Sequence, residues 1–270
     1  MTWYLVPSLV AAVIGAAAGV FLPRVIARLP EPEPDPVPAV NGAVDGLVPA
    51  ENEAEFSRPV DEPKELFADL ARIPGLAWKL AVACGLAAGV VGGRLGWSPA
   101  LLFLLYLVPV GVALALIDWR TRYLPSRLIL PSYAVVAALA VVASVVGRDW
   151  PELLSAAIGC AATFAVFFVM WFVAPRAMAF GDVRLSGLLG LALGWLGYAQ
   201  LVLGILTAFF LMSLGGTLLS VSRVFHKKHV PFGPFLVAGA FLGVTFPLQL
   251  LTAYAWVING ITSAVLALLD

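Results

Sequence analysis

The sequence predicts an all-α membrane protein, a polytopic bundle of transmembrane helices, and two observations carry this prediction. Of its 270 residues, 61% are hydrophobic and only 12% are charged, which is more apolar than a soluble domain of this size needs for one core. The hydrophobic residues also gather into long runs, many of them near the roughly 20 residues that a helix needs to cross about 30 Å of hydrocarbon.

The apolar runs predict eight or nine transmembrane spans. The boundaries near residues 198 and 249 rest only on Gly194, Gly197 and Pro247, and one run is short for a full crossing. The runs cover approximately residues 4–27, 76–96, 99–117, 128–147, 152–173, 185–198, 199–221, 232–249 and 250–268.

The chain is expected to divide into three parts. Residues 1–28 form a first, retained span, because Arg24 and Arg28 follow its apolar run, whereas a signal peptide carries basic residues before it. Residues 29–75 begin "PEPEPDPVP" and hold eleven of the sixteen acidic residues. We expect this stretch to be a largely disordered acidic loop with a short amphipathic helix near residues 62–72. Residues 76–270 form the remaining transmembrane domain.

The basic residues predict the orientation, because cytoplasmic ends of spans are rich in lysine and arginine. With the N-terminus outside, only Arg94 and Arg148 fall on the outer side once the acidic loop is set aside. A formal net charge of zero excludes nucleic acid as a partner. The basic residues expected on the cytoplasmic side are Arg24, Arg28, Lys79, Arg120, Arg122, Arg127, Arg176, Arg184, Arg223, Lys227 and Lys228.

The cysteines and histidines do not predict a metal site. Cys84 and Cys160 lie far apart in apolar sequence without a Cys-x-x-Cys pair, so we interpret both as small buried hydrophobic residues. His226 and His229 flank two lysines in a cytoplasmic turn, where they are expected to be solvated. No metal is expected.

Two aspartates stand out among the five carboxylates outside the acidic loop. Asp149, Glu152 and Asp270 lie in an outer turn or at the last residue, whereas Asp118 and Asp182 each lie at the cytoplasmic margin of an apolar run. Two spans separate this pair, so both face the same compartment. An ionisable group at such a position is costly and by default marks a functional site.

An alternative interpretation is that each aspartate anchors a helix end by pairing with a nearby arginine, Asp118 with Arg120 or Arg122 and Asp182 with Arg184. Local features favour function. Leu124 and Pro125 end the helix shortly after Asp118. Gly181, directly before Asp182, allows a substrate strand or a neighbouring helix to approach the backbone closely.

Two carboxylates at one membrane margin can act as an acid–base pair. They cannot both ionise easily, because like charges at short range repel, so the pair would share one proton. One carboxylate then accepts a proton from water while the other donates to a peptide carbonyl oxygen. The pair titrates as a unit, and neither residue has a fixed role.

Four segments of the chain, in order, resemble the type IV prepilin peptidases, a family of GxGD-type intramembrane aspartic proteases. "LIDWRTRYLPSRLILP" is similar to the family's first aspartate motif, and "AFGDVRLSGLLG" is similar to its GxGD motif. "HVPFGPFLVAGAFLG" at residues 229–243 is similar to its late Pro-Phe-Gly-Pro-Phe segment, and "GVFLPRVIARLP" at residues 19–30 to its N-terminal motif.

The resemblance implies that Asp118 and Asp182 are catalytic and that they remove the basic leader peptide of prepilin-like substrates at the cytoplasmic face of the bacterial cell membrane. No cofactor is implied for proteolysis. Residues that bind substrate or shape the site are then expected among Phe180, Gly181, Arg184, Leu124, Pro125, Phe232, Gly233 and Pro234.

The sequence departs from the family pattern at two places. Ala179 replaces the first glycine of the GxGD motif, and we expect activity to persist because alanine is also small. The loop at 29–75 lacks the two Cys-x-x-Cys pairs associated with N-methylation of the new pilin terminus. S-adenosylmethionine is therefore expected as a cofactor only if a methyltransferase activity is retained.

Two other functions remain open from the residues alone. In a small transporter or proton-coupled carrier, the two aspartates would bind a cation or relay protons. The chain shows no convincing inverted repeat, and its aspartates share one membrane face instead of the midplane. An inactive structural subunit of a pilus assembly platform would not need the intact aspartate pair.

Overall fold

A computed structural model describes residues 3–30, 66–174, 178–221 and 230–269 of the chain. These residues form ten helices and no strand, so the predicted all-α class is confirmed. The helices are α1 Leu5–Ala27, α2 Phe67–Ala71, α3 Leu76–Leu95, α4 Leu101–Thr121, α5 Ser126–Gly147, α6 Trp150–Val173, α7 Phe180–Leu196, α8 Tyr198–Val221, α9 Gly233–Thr245 and α10 Pro247–Leu269.

Several sequence predictions fall outside the described residues. The predicted disorder of the acidic loop concerns mainly residues 31–65, and the solvated histidines lie within residues 222–229. Of the amphipathic helix predicted near 62–72, the described part contains only the five-residue α2, whose Phe67 and Leu70 are buried.

The predicted count of eight or nine spans is wrong. Among the described residues, six helices are long and apolar enough to cross a membrane: α1, α3, α4, α5, α6 and the Tyr198–Leu218 part of α8. A seventh span results if α9 and α10, which meet at a 105° bend, are taken as one. These helices make the chain a multi-pass membrane protein.

Length and proline explain the difference in span number. Helix α7 has 17 residues, or about 26 Å, which is shorter than a hydrocarbon core of about 30 Å. Helix α9 has 13 residues and ends just before Pro247, where α10 starts in a new direction. A hydropathy pattern counts apolar runs, but it does not show which of them are too short or are sharply bent.

Helix α7 lies at the centre of the bundle. Thirteen of its seventeen residues are buried, and it packs against α5, α6, α8 and α9. The contact with α6 is close because glycines face each other: a Cβ on Gly159 would lie 2.6 Å from the carbonyl oxygen of Gly190. Small residues at such positions let helix backbones approach within a membrane protein.

Polar contacts identify one end of the bundle. The Arg94 Nε donates to the Thr245 carbonyl oxygen across 2.7 Å, and the Trp195 Nε1 donates to the Ser144 hydroxyl across 2.9 Å. The first contact joins the C-terminal end of α3 to that of α9, and the second joins the C-terminal end of α7 to that of α5. Since α5, α7 and α9 all finish there, their N-terminal ends lie together at the opposite end, where α4 terminates.

Candidate active site

Asp118 lies in the last turn of α4 and is 5% exposed. The helix ends three residues later, and Arg122 adopts the left-handed conformation with φ 54° while its N–H bonds the carbonyl oxygen of Asp118 across 2.8 Å. The Asp118 Oδ2 accepts a hydrogen bond of 2.9 Å from the backbone N–H of Gly233. The side chain of Asp118 therefore points to the N-terminus of α9.

Asp182 lies in the first turn of α7 and is 4% exposed. Its Oδ1 is buried and accepts no hydrogen bond from the residues that the structure describes. A carboxylate at a helix N-terminus is favourable for the helix dipole, but an unsatisfied buried oxygen is costly. This orphaned oxygen is the kind of group that a bound water or a substrate would satisfy.

The structure brings the two aspartates to the same end of the bundle. The α7 N-terminus, which carries Asp182, packs on the turn that follows Asp118, and the two carboxyl groups lie close enough for their charges to interact. Asp182 and Arg184, both described, form no ion pair with each other: the Arg184 guanidinium instead hydrogen-bonds the Ser126 hydroxyl and stands 4.7 Å over the Phe180 ring. This geometry does not support the anchor interpretation of Asp182.

Gly181 sets the contact between the two aspartate segments. A Cβ at this position would lie 2.7 Å from the Cβ of Leu124, so the α7 N-terminus packs directly on the turn between α4 and α5. Pro125 follows in that turn, in the extended conformation, and precedes the first residue of α5. The Leu-Pro break thus turns the chain beside Asp182.

The backbone conformation of Ala179 shows that the first position of the GxGD pattern does not require glycine in this chain. Ala179 has φ −79° and ψ 146°, an extended conformation open to any residue. The alanine at the first position of the GxGD pattern is therefore unstrained in this backbone.

Residues of the late proline-rich segment lie beside Asp118. Gly233 contributes its N–H, and a Cβ there would lie 2.6 Å from the Asp118 Oδ2, so any larger residue would displace this carboxyl group. Phe232 is buried in an aromatic cluster, 5.9 Å from Phe167 and 5.4 Å from Phe209 between ring centroids. Pro234 is half-buried and lines an apolar cavity between the helices.

Sequence reasoning missed two residues that hold the α7 N-terminus. Ser126 accepts from Arg184, and the Tyr133 hydroxyl donates to the Arg184 carbonyl oxygen across 2.6 Å. Ser126 and Tyr133 are seven residues apart, a spacing that puts them on one face of α5. Their seven-residue spacing, directly after the Leu-Pro segment, was the sequence signal that could have identified them.

The described residues contain no cluster of histidine, cysteine, aspartate and glutamate able to hold a metal ion. Cys84 is buried and Cys160 is half-buried, and neither forms a disulfide.

A family model and a curated protein are similar to parts of this chain. Residues 102–221 match the model of the type IV leader peptidase family, and this segment contains Asp118 and Asp182. The chain is also 27% identical over 178 residues to the "Prepilin leader peptidase/N-methyltransferase" of Stutzerimonas stutzeri, a match covering 64% of this chain.

The chain matches 59% of the length of this curated relative, which is less than two thirds. No solved structure matches the chain significantly. The family match and the curated relative agree with the resemblance in the sequence motifs, and residues 102–221 of this chain, with both aspartates, are similar to the type IV leader peptidase family.

Proposed function

We propose that the chain is a membrane-embedded aspartic endopeptidase in which Asp118 and Asp182 hydrolyse a peptide bond together. The observation that carries this proposal is the pair itself: two buried carboxyl groups on different helices, one in the last turn of α4 and the other in the first turn of α7, at the same end of the bundle. Both aspartates lie within residues 102–221, which match the model of the type IV leader peptidase family, and this match supports the proposal.

In the proposed mechanism the pair holds one proton. The ionised carboxylate takes a proton from a water molecule, whose oxygen attacks the peptide carbonyl carbon, while the protonated carboxyl donates to the carbonyl oxygen. The C–N bond of the resulting diol then breaks: the departing amine receives a proton from the carboxyl group that took it from water, and the other carboxylate accepts a proton from a diol hydroxyl, so the pair again holds one proton. Gly233 orients Asp118 in each step through its N–H.

The proposed substrate is a prepilin-like protein whose basic leader is removed at the cytoplasmic side of the bacterial membrane. The curated relative is named a prepilin leader peptidase, and arginines surround the site end of the bundle, at Arg120, Arg122, Arg127 and Arg184. Basic residues mark the cytoplasmic side of membrane proteins. The positive leader would remain there by the same rule. The transporter alternative is not favoured.

Cleavage is proposed to fall at the cytoplasmic edge of the substrate's apolar helix. A peptide bond within a helix is shielded, and unwound backbone inside a membrane requires protein or water to satisfy it. Asp118 lies in the last turn of α4 and Asp182 in the first turn of α7. Both carboxyl groups therefore act at a helix end and not at mid-membrane.

The three-part organisation also stays a proposal: a first span at 1–28, a cytoplasmic loop at 29–75 and a peptidase domain at 76–270. The relative's name includes N-methyltransferase. Were this chain to methylate its product, S-adenosylmethionine would be the methyl donor. The loop, which lacks cysteine, supports peptidase activity without methylation.

The test is to reconstitute the purified chain in liposomes with a prepilin that carries a basic leader, a glycine and an apolar helix. Mass spectrometry of the products should show one cut between the leader and the helix. The mass of the mature product, with or without an added methyl group, answers the methylation question in the same sample. A prepilin that remains uncut under conditions in which a known prepilin peptidase processes it would contradict the proposal.

A further inference from the structure

An apolar cavity of about 290 Å³ lies between α3, α4, α7 and α9. Every residue that lines it is glycine, proline or an apolar residue. They are Ala87, Val91, Leu104, Leu107, Val108, Gly111, Val112, Ala115, Leu189, Ala192, Leu193, Pro234, Val237, Ala238, Ala240, Phe241 and Val244.

The cavity continues the helix face that carries Asp118. On α4 the lining residues Ala115, Gly111 and Leu104 precede Asp118 by three, seven and fourteen residues. These are the spacings at which residues share one face of a helix. The cavity therefore begins one turn from Asp118 and follows α4 into the bundle.

On α7 and α9, the cavity-lining residues also follow the site residues at helical spacings. On α7, Leu189 and Leu193 follow Asp182 by seven and eleven residues. On α9, Val237 and Phe241 follow Gly233 by four and eight residues. Three helices that position the aspartates at one end thus line the cavity with the same face further along.

The dimensions of the cavity suit the side chains on one face of an apolar helix. From Asp118 to Leu104 is fourteen residues, or about 21 Å along α4. A helix of this length and about 10 Å in diameter occupies roughly 1,500 Å³. The cavity is smaller by several fold, so it can hold a row of side chains from a helix that lies against its mouth.

The mouth of the cavity is formed by half-buried residues of α3, α4 and α9, among them Val112, Ala115, Val237 and Ala238. Two of these are alanine, as is Ala87 on α3. Small residues allow a second helix to approach the backbone closely inside a membrane, which an acyl chain does not require.

We propose that this cavity binds the apolar helix of the prepilin substrate whose scissile bond lies between Asp118 and Asp182. The inference rests on the proposed peptidase function. It names the site that holds the apolar helix of the substrate while the bond beside that helix is cut. The first turn of the substrate helix would contact Ala115 and Pro234, and later turns would reach Leu104. The cavity would thereby align the end of the substrate helix with the two carboxyl groups.

Filling the cavity tests this binding site. Ala87→Leu and Ala238→Leu add side-chain volume to the lining, and each should raise KM for a full prepilin about tenfold, the order of effect of small apolar changes in a pocket. Ala83→Leu is the matched control on α3, because Ala83 is exposed four residues earlier. It should leave KM unchanged.

A second substrate separates binding from folding. A prepilin whose apolar helix is replaced by a polar sequence should be cut slowly by the wild-type chain. Ala87→Leu should not lower this cleavage rate further. A photo-reactive benzoyl-phenylalanine at Phe241 should cross-link an uncleavable prepilin through its apolar helix.

Two results would overturn the inference: an unchanged KM in both filled variants, or cross-linking of position 241 to lipid alone. If the wild-type chain cuts no prepilin, the peptidase proposal fails. Cross-linking of the prepilin helix at position 241 would still report binding in that case, so the two failures are distinguishable.

Discussion

The backbone N–H of Gly233 donates a hydrogen bond to the Asp118 Oδ2 across 2.9 Å, although 115 residues separate them in the chain. This contact joins the N-terminus of α9 to the C-terminal turn of α4. A side chain at position 233 would displace the Asp118 carboxyl group, since a Cβ on Gly233 would lie 2.6 Å from the same oxygen. The late proline-rich segment is thereby part of the environment of Asp118.

Gly233→Ala should lower kcat for prepilin cleavage by about 100-fold, because small displacements of a catalytic group cost rate steeply. Gly216→Ala is the control, since a Cβ there meets nothing within 4 Å, and its kcat should equal that of the wild type. Single-turnover cleavage in liposomes measures both. Equal rates for Gly233→Ala and the wild type would show that the contact does not position Asp118.

The two small residues before Asp182 should respond differently to substitution. Gly181→Ala places a Cβ 2.7 Å from the Leu124 Cβ and should reduce cleavage, because the α7 N-terminus must move away from the turn after α4. Ala179→Gly restores the family pattern at an unstrained extended position and should change the rate less than about twofold. Comparing initial rates for the two variants decides this, and a larger effect at Ala179 would contradict it.

Tyr133→Phe should lower the free energy of unfolding by about 1 kcal/mol, since it removes one hydrogen bond to the Arg184 carbonyl oxygen. Tyr198→Phe, on an exposed side chain, should leave stability unchanged. Denaturant unfolding in detergent micelles measures both. A Tyr133→Phe protein as stable as the wild type would mean that this bond does not hold the α7 N-terminus.

The loop at 29–75 is expected to bind no zinc. It contains no cysteine, and structural zinc sites commonly use four cysteine or histidine ligands. Metal analysis of the purified chain should therefore find no stoichiometric zinc. One zinc ion per chain would refute this prediction and would revive the comparison with the cysteine-containing loops of the family.

The helical class could be predicted from composition and run length because these properties follow directly from the bilayer's thickness and polarity. The span count could not. Helix α7 has only 17 residues, and the chain bends by 105° at the break between α9 and α10, where Pro247 is the first residue of α10. Neither feature changes the hydropathy of the run.

The aspartates stood out in the sequence because charge is rare in apolar segments. Their surroundings depend on contacts between distant parts of the chain. The approach of Gly233 to Asp118 and of Leu124 to Gly181 involves no charge and no periodic pattern. Only the fold shows why glycine is needed at these two positions.

The most direct test of the account is prepilin cleavage by Asp118→Asn, Asp182→Asn and the double variant, measured in liposomes against the wild type. Each amide keeps the shape of the side chain but cannot exchange the proton that hydrolysis needs. We expect each single variant to lose detectable cleavage and the double variant to be no worse, because the two residues act as one unit. Cleavage by Asp182→Asn at near the wild-type rate would contradict the proposed catalytic pair.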